Sequence, residues 1–193
     1  MNSDVTGLLS REQAIKEFRS NVRDTSNFCG RAFLRAIERK YVLLCLSMIY
    51  VYDYDTFKHC LRTFNYAMMI IEALSTDKKA ITDLGEAALL HDIGKIKIPR
   101  GIVKKPGKLD DEERAVIETH VIEGGLILQK LGVPKSVIRI VVQHHERVDG
   151  SGYPIGIELK KTDILAVYLA VADMFDAMTS KRCYHNAMDI EKA

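Results

Sequence analysis

The sequence predicts an all-α fold, and three observations predict it. Apolar residues recur at three- and four-residue spacing among charged ones, with no strand-like alternation longer than a few residues. Only four prolines interrupt 193 residues. Capping residues also precede most of the periodic segments.

Taken in order, Ser10-Arg11-Glu12-Gln13 has capping-box spacing and opens a helix to about Asn21. A second helix is expected from about Arg31 to Val51. Asp53 or Asp55 caps a third, in which Phe57, Leu61, Phe64, Met68 and Ile71 keep helical spacing to about Leu74. Thr82 or Asp83 starts a short helix ending near His91-Asp92. Asp110 and Glu113 open the next, to about Lys130, with Gly132 beyond its end. Pro134 starts a helix running into His144-His145, and Thr162 starts one to about Thr179. Residues 1–50 read as an N-terminal helical extension carrying no signature, and 51–193 as the main domain. Glu191-Lys192-Ala193 resembles the start of a further helix, so the domain is expected to lack its C-terminal end.

Composition narrows the function classes. A net charge of +2 gives no footprint for a nucleic acid polymer, and 47% hydrophobic residues suffice for a core. The start lacks a basic, apolar secretory signal, and the most apolar run, Tyr41 to Tyr52, is short of the ~20 residues a bilayer requires. No membrane span and a cytoplasmic location are therefore expected. Cys29, Cys45, Cys60 and Cys183 have no CxxC spacing and read as reduced thiols.

The chemistry sits in the histidines. Of six, His59, His91, His120, His144 and His145 can be read into one polar cluster with Asp92 and Asp173. Neutral imidazoles and carboxylates hold first-row divalent metals such as iron, manganese and zinc. Seven such groups are too many for one ion and suit two, which points to a dinuclear hydrolase favouring anionic substrates. Adjacent helical residues point about 100° apart, so His91 and Asp92 can share a metal only where the chain bends, and Gly94 is expected to supply that bend. The two oxygens of Asp92 could bridge two ions; an isolated His-Asp pair could equally be a helix cap. His120 precedes Gly124-Gly125 by one turn, which would let a backbone or ligand come close. His59 has Asp55 one turn earlier, a pair that could share a metal or form a hydrogen bond.

Lys95, Lys97, Arg100, Lys104, Lys105 and Lys108 fall within a segment free of acids. Lys95, tethered to the metal pair, could offset charge on phosphoryl oxygens. Lys97, Lys104, Lys105 and Lys108 read as an ordinary solvated loop.

His144-His145-Glu146 leads through Arg147-Val148 into Asp149-Gly150-Ser151-Gly152-Tyr153-Pro154. With His91-Asp92-Ile93-Gly94-Lys95, Ile98-Pro99, Lys105 to Leu109 and Ala172 to Ser180, this HHExxDGxGYP stretch resembles the HD-GYP family of bacterial cyclic dinucleotide phosphodiesterases. The resemblance runs from about residue 53 to 190. It implies an HD-domain helical bundle and places metal ligands on His59, His91, Asp92, His120, His144, His145 and Asp173, with Asp92 bridging. Two divalent ions, iron or manganese, are implied. So is hydrolysis of cyclic di-GMP to pGpG or GMP by a metal-bridging hydroxide, with Lys95 on a phosphate. Tyr153, Asp176, Arg182 and His185 are implied as substrate contacts.

Some members carry a third metal on a glutamate that is Asp55 here. Where the family reads Arg-Pro-Tyr-Arg, this chain has Arg182-Cys183-Tyr184-His185, which leaves another cyclic dinucleotide, such as cyclic GMP-AMP, open as substrate. The resemblance also implies GGDEF-domain partners through the GYP loop, so a non-catalytic binding module is the reading from another class. Residues 1–50 could be a dimerising helical pair, which would give a homodimer, the remnant of a sensory module, or a substitute packing surface.

Overall fold

The computed structural model describes residues 8–22, 27–157 and 162–180. Among them the regular structure is helical, with no strand. α1 (Arg11–Asn21) opens on the expected capping box, Ser10 Oγ accepting from Gln13 N and Gln13 Oε1 from Ser10 N. α2 (Asn27–Ile37) and α3 (Lys40–Tyr52) follow, then α4 (Tyr54–Leu74), whose cap is Asp53 accepting from the Thr56 amide. α5 (Lys78–Leu90) runs into a 3₁₀ turn (Ile93–Lys97) and the short α6 (Arg100–Val103). α7 (Asp111–Glu118), α8 (His120–Lys130), α9 (Lys135–Gln143) and α10 (Ile164–Thr179) complete the order.

Three boundaries differ from expectation, each for a physical reason. The expected helix from 31 to 51 is two, broken at Arg39, which is extended (φ −73°, ψ 116°). No proline or glycine marks the break. It lets Ile37 and Val42, five residues apart, both be buried, and leaves Arg39 Nε 3.6 Å from buried Glu86. α5 starts four residues before Thr82, because Asp77 accepts from the Lys79 amide. Its first turn opens on Lys78 and Lys79, so the apolar pattern begins only after the helix has started. The expected helix from 110 to 130 bends at Thr119, separating α7 from α8.

α4 is the central rod: Phe57, Cys60, Leu61, Phe64, Ala67, Met68 and Ile71 are fully buried along it. It packs against α5 and α10, while α8 lies across the 3₁₀ turn and α9 packs on α5 and α8. The N-terminal helices join the same core. Phe18 of α1 stacks on Phe33 of α2 with centroids 4.1 Å apart, and both meet Phe64 edge-on. Burying such rings contributes about 1.5–3 kcal/mol each, which anchors the middle of α4; His59 lies toward its N-terminal end.

Gly94 acts otherwise than expected. The bend lies at His91 and Asp92 (φ −96°, ψ 6°), and Gly94 is not among the glycines of positive φ. A Cβ there would lie 1.9 Å from the His120 carbonyl oxygen and 2.5 Å from Gly124 N. Gly94 is needed for close approach, and Gly124 opposite completes it, as the position of Gly124 beyond His120 suggested.

Candidate metal centre and adjoining cleft

Three of the histidines sit at helix ends, and the helix ends orient them. His91 and His144 are the C-terminal caps of α5 and α9, and His120 follows the last turn of α7. Last-turn carbonyls have no amide partner within their helix. Each imidazole supplies one from Nδ1: His91 to Ala88 O at 2.9 Å, His120 to Ile117 O at 2.7 Å, His144 to Val141 O at 2.6 Å. A carbonyl oxygen can only accept, so Nδ1 carries the hydrogen and the neutral ring keeps its lone pair on Nε2. His59, inside α4, reaches the same state by donating from Nδ1 to Asp176 Oδ2 at 2.6 Å.

These Nε2 atoms converge. His59, His91 and Asp173 form one group able to hold a metal ion, and His120, His144 and His145 a second, with ligand atoms within 4.8 Å of one another in each. In the first, His59 Nε2 is 2.9 Å from Asp173 Oδ1 and 3.2 Å from His91 Nε2. Asp92 stands between the two. Its Oδ2 is 3.6 Å from His59 Nε2 and 3.5 Å from His91 Nε2, while Oδ1 is 3.5 Å from His120 Nε2.

The donor set fits divalent cations. Lone pairs on two Nε2 atoms and a carboxylate face each other across about 3 Å, an arrangement that repels itself unless positive charge lies among them. The Nε2 atoms of His120 and His144 are buried without a hydrogen-bond partner. Such orphaned atoms are costly in an interior and are expected where an ion belongs.

Electrostatics keep the ligands ready. Burial pushes His120 and His144 down to about 4, with Asp92 opposing the shift at His120 and His91 adding to it at His144. Burial also lowers His91, and burial with the neighbouring His144 lowers His145 strongly. At neutral pH these rings are uncharged donors. Burial alone would raise Asp92, but Lys95 and the surrounding imidazoles hold it well below the usual carboxylate range. Asp173 is likewise held low against its burial, by the neighbouring imidazoles of His59, His91 and His144.

The remaining expected residues divide. Lys95 donates to Asp92 Oδ2 at 2.7 Å. Tyr153 packs its ring on His145 with centroids 4.6 Å apart, and its amide donates to His145 O. Asp176, read from sequence as a substrate contact, has a fully buried side chain bound to His59 and Arg62, so it supports a ligand rather than facing a substrate. Asp55 is 82% exposed, pairs with Lys58 at 2.8 Å, and belongs to no metal-capable group among the described residues. Arg182 and His185 lie outside the described residues.

Sequence reasoning passed over Arg62 and the anchoring role of Glu146, and read Cys60 only as a reduced thiol. Arg62 forks Asp176 through Nε and Nη2 at 2.7 and 3.0 Å; its place one turn beyond His59 on the same helix face was the available signal. Glu146 is buried and accepts from the Ile155 and Ile157 amides at 2.9 and 3.0 Å, pinning the GYP loop. Cys60 lies close enough to His91 and Asp92 to form a third metal-capable group, but burial holds its thiol well above the ordinary range, so it stays protonated.

A cleft of about 570 Å³ opens beside His59, lined by Lys58, Arg62, Lys95, Lys104 and Lys105 among others. This corrects the reading of Lys104 and Lys105 as plain solvated loop. Lys104 Nζ is 3.1 Å from Asp53 Oδ1, and Lys105 pairs with Glu113, so both are tethered at the cleft wall.

Residues 44–193 match the family model described as HD domain. A cyclic di-GMP phosphodiesterase of Thermotoga maritima is 40% identical over 155 residues, covering 79% of this chain and 42% of that protein. A 3'3'-cGAMP-specific phosphodiesterase of Vibrio cholerae is 38% identical over 135 residues, 70% of this chain and 29% of that one. The chain thus spans less than half the length of these curated relatives. A solved HDG"Y"P protein of Bdellovibrio bacteriovorus shares the fold, with TM-score 0.58 and 24% identity over 87% of this chain and 67% of that chain. No helix among the described residues is long and apolar enough to cross a membrane.

Proposed function

Because the chain belongs to the HD-domain family, we propose that it is a metal-dependent phosphodiesterase acting on a 3′–5′ cyclic dinucleotide, cyclic di-GMP first. The observation that carries this reading is Asp92, whose two oxygens face different histidine groups while the Nε2 atoms of His120 and His144 are buried and unpartnered. His59, His91 and Asp173 would hold one divalent ion, His120, His144 and His145 the other, and Asp92 would bridge them. Iron(II) or manganese(II) suits such a nitrogen and carboxylate set. When bound, the pair lowers the pKa of water and polarises the phosphate, so no protein nucleophile is needed.

The chain's own groups do the rest. The carbonyl-anchored Nδ1–H bonds fix each imidazole in its ligating tautomer. Lys95, at the cleft wall, neutralises phosphoryl oxygen charge as it develops. The cleft's lysines and arginine offer charged donors to the phosphates of a dianionic substrate. Asp55, turned toward Lys58, favours two ions over three.

Val148 (65%) and Ile155 (72%) are exposed around the GYP loop, which supports docking of a GGDEF-type partner as a second role. The reading is tested by chromatography of products from cyclic di-GMP and 3'3'-cGAMP, with protein loaded anaerobically with iron(II) or manganese(II), beside Asp92→Ala. Metal-dependent linear product, lost in Asp92→Ala, is expected. No turnover of either dinucleotide with metal bound would overturn it.

A further inference from the structure

His59 differs from the histidines at helix ends: its Nδ1 rests on a side chain, Asp176, rather than on a backbone carbonyl. Asp176 is fully buried, and a buried carboxylate needs charge compensation as well as hydrogen bonds. Arg62 supplies both in one contact. Its Nε meets Oδ1 at 2.7 Å and its Nη2 meets Oδ2, the same oxygen that takes the His59 hydrogen, at 3.0 Å. Ser180 Oγ adds a donor to Oδ1 at 2.9 Å.

We propose that Arg62 is a positioning residue for one metal ion of the pair: by forking Asp176 it fixes the tautomer and ring plane of His59, and so governs affinity at the His59–His91–Asp173 group. The inference rests on the two-ion reading above. A planar fork fixes a carboxylate in orientation as well as charge, which an ammonium cannot do. The carboxylate–imidazole contact in turn raises the basicity of the ligating nitrogen. At the other group His120 and His144 are anchored on the Ile117 and Val141 backbone carbonyls, not on the carboxylate that Arg62 engages. The effect should therefore fall on one ion and spare its neighbour.

The test is titration of metal-free protein with manganese(II), following the free ion by its paramagnetic resonance signal, for wild type, Arg62→Met and Arg62→Lys. Wild type is expected to bind two equivalents. Arg62→Met should keep one at unchanged affinity and weaken the other about 10–100-fold, with Arg62→Lys recovering only part of the loss. If Arg62→Met does not fold, Arg62→Lys serves in its place, since it keeps the charge and removes the planar fork; a smaller weakening of the same single site is expected. Two wild-type affinities in the folded variant would overturn the inference, as would equal weakening of both, which marks general disruption. Wild type binding no manganese would instead bring down the two-ion reading itself.

Discussion

His120 and His144, on different helices, face each other with ring centroids 5.6 Å apart, and each keeps its Nε2 buried and unpartnered while Nδ1 is held by a carbonyl three residues earlier. Two helix ends thus do the work of orienting two ligands. Several measurable consequences follow from this and from the contacts around it.

Acid should destabilise the metal-free protein. His120 and His144 are pushed down to about 4 in the fold, against an unfolded value of ~6.5. Below ~6.5 the unfolded chain binds protons that the folded one refuses, so stability falls as pH drops from there toward 4. Above ~6.5 neither state is protonated and these groups add no slope. The full effect is on the order of 3 kcal/mol per ring. Thermal melts between pH 8 and 5 should show a flat upper limb and a falling lower one; melts unchanged to pH 5 would contradict the shifts.

Gly94→Ala should be severe. The added methyl would lie 1.9 Å from the His120 carbonyl oxygen, a backbone atom that cannot rotate away. α8 must move, and overpacking of this kind costs ~1–3 kcal/mol or more. Because His120 moves with α8, metal binding should weaken together with the melting temperature. A variant with wild-type melting and metal content would refute the close approach.

Glu146→Ala should loosen the GYP loop. It removes two charge-assisted hydrogen bonds of a half-buried loop, each worth at most about 1.5–3 kcal/mol because water can reach the freed amides. Hydrogen exchange of the segment from 150 to 157 should accelerate well beyond that of α9. Unchanged exchange would show that the loop is held by other contacts.

The cleft predicts a salt effect. Lys58, Arg62, Lys95, Lys104 and Lys105 line its wall, each paired with a carboxylate, so two bound divalent ions would supply the excess positive charge that attracts a dianionic substrate. Raising ionic strength from about 0.05 to 0.5 M should raise KM several-fold with little change in kcat, as screening shortens the field's reach. A KM indifferent to salt would deny that attraction.

Much of this centre is legible in the sequence, because paired histidines and the GYP turn are local patterns. The helices that carry them follow from apolar spacing and from caps such as Asp53 and Asp110. What the sequence conceals is tertiary. The break at Arg39 exists because Ile37 and Val42 both turn inward and Glu86 waits across the interface. Asp176 looks like a substrate residue until the fold sets it beneath His59, more than a hundred residues earlier. Arg62 has no pattern of its own; its meaning is Asp176. Glu146 hides inside a motif whose glycines and tyrosine draw the eye, although it holds that motif together.

The most direct test of the central claim is a crystal structure of the protein grown with manganese(II), with anomalous differences measured near the metal's absorption edge. Two peaks are predicted on opposite sides of Asp92, one among His59, His91 and Asp173, the other among His120, His144 and His145. No peak at either group, with manganese present in the crystal, would contradict the account.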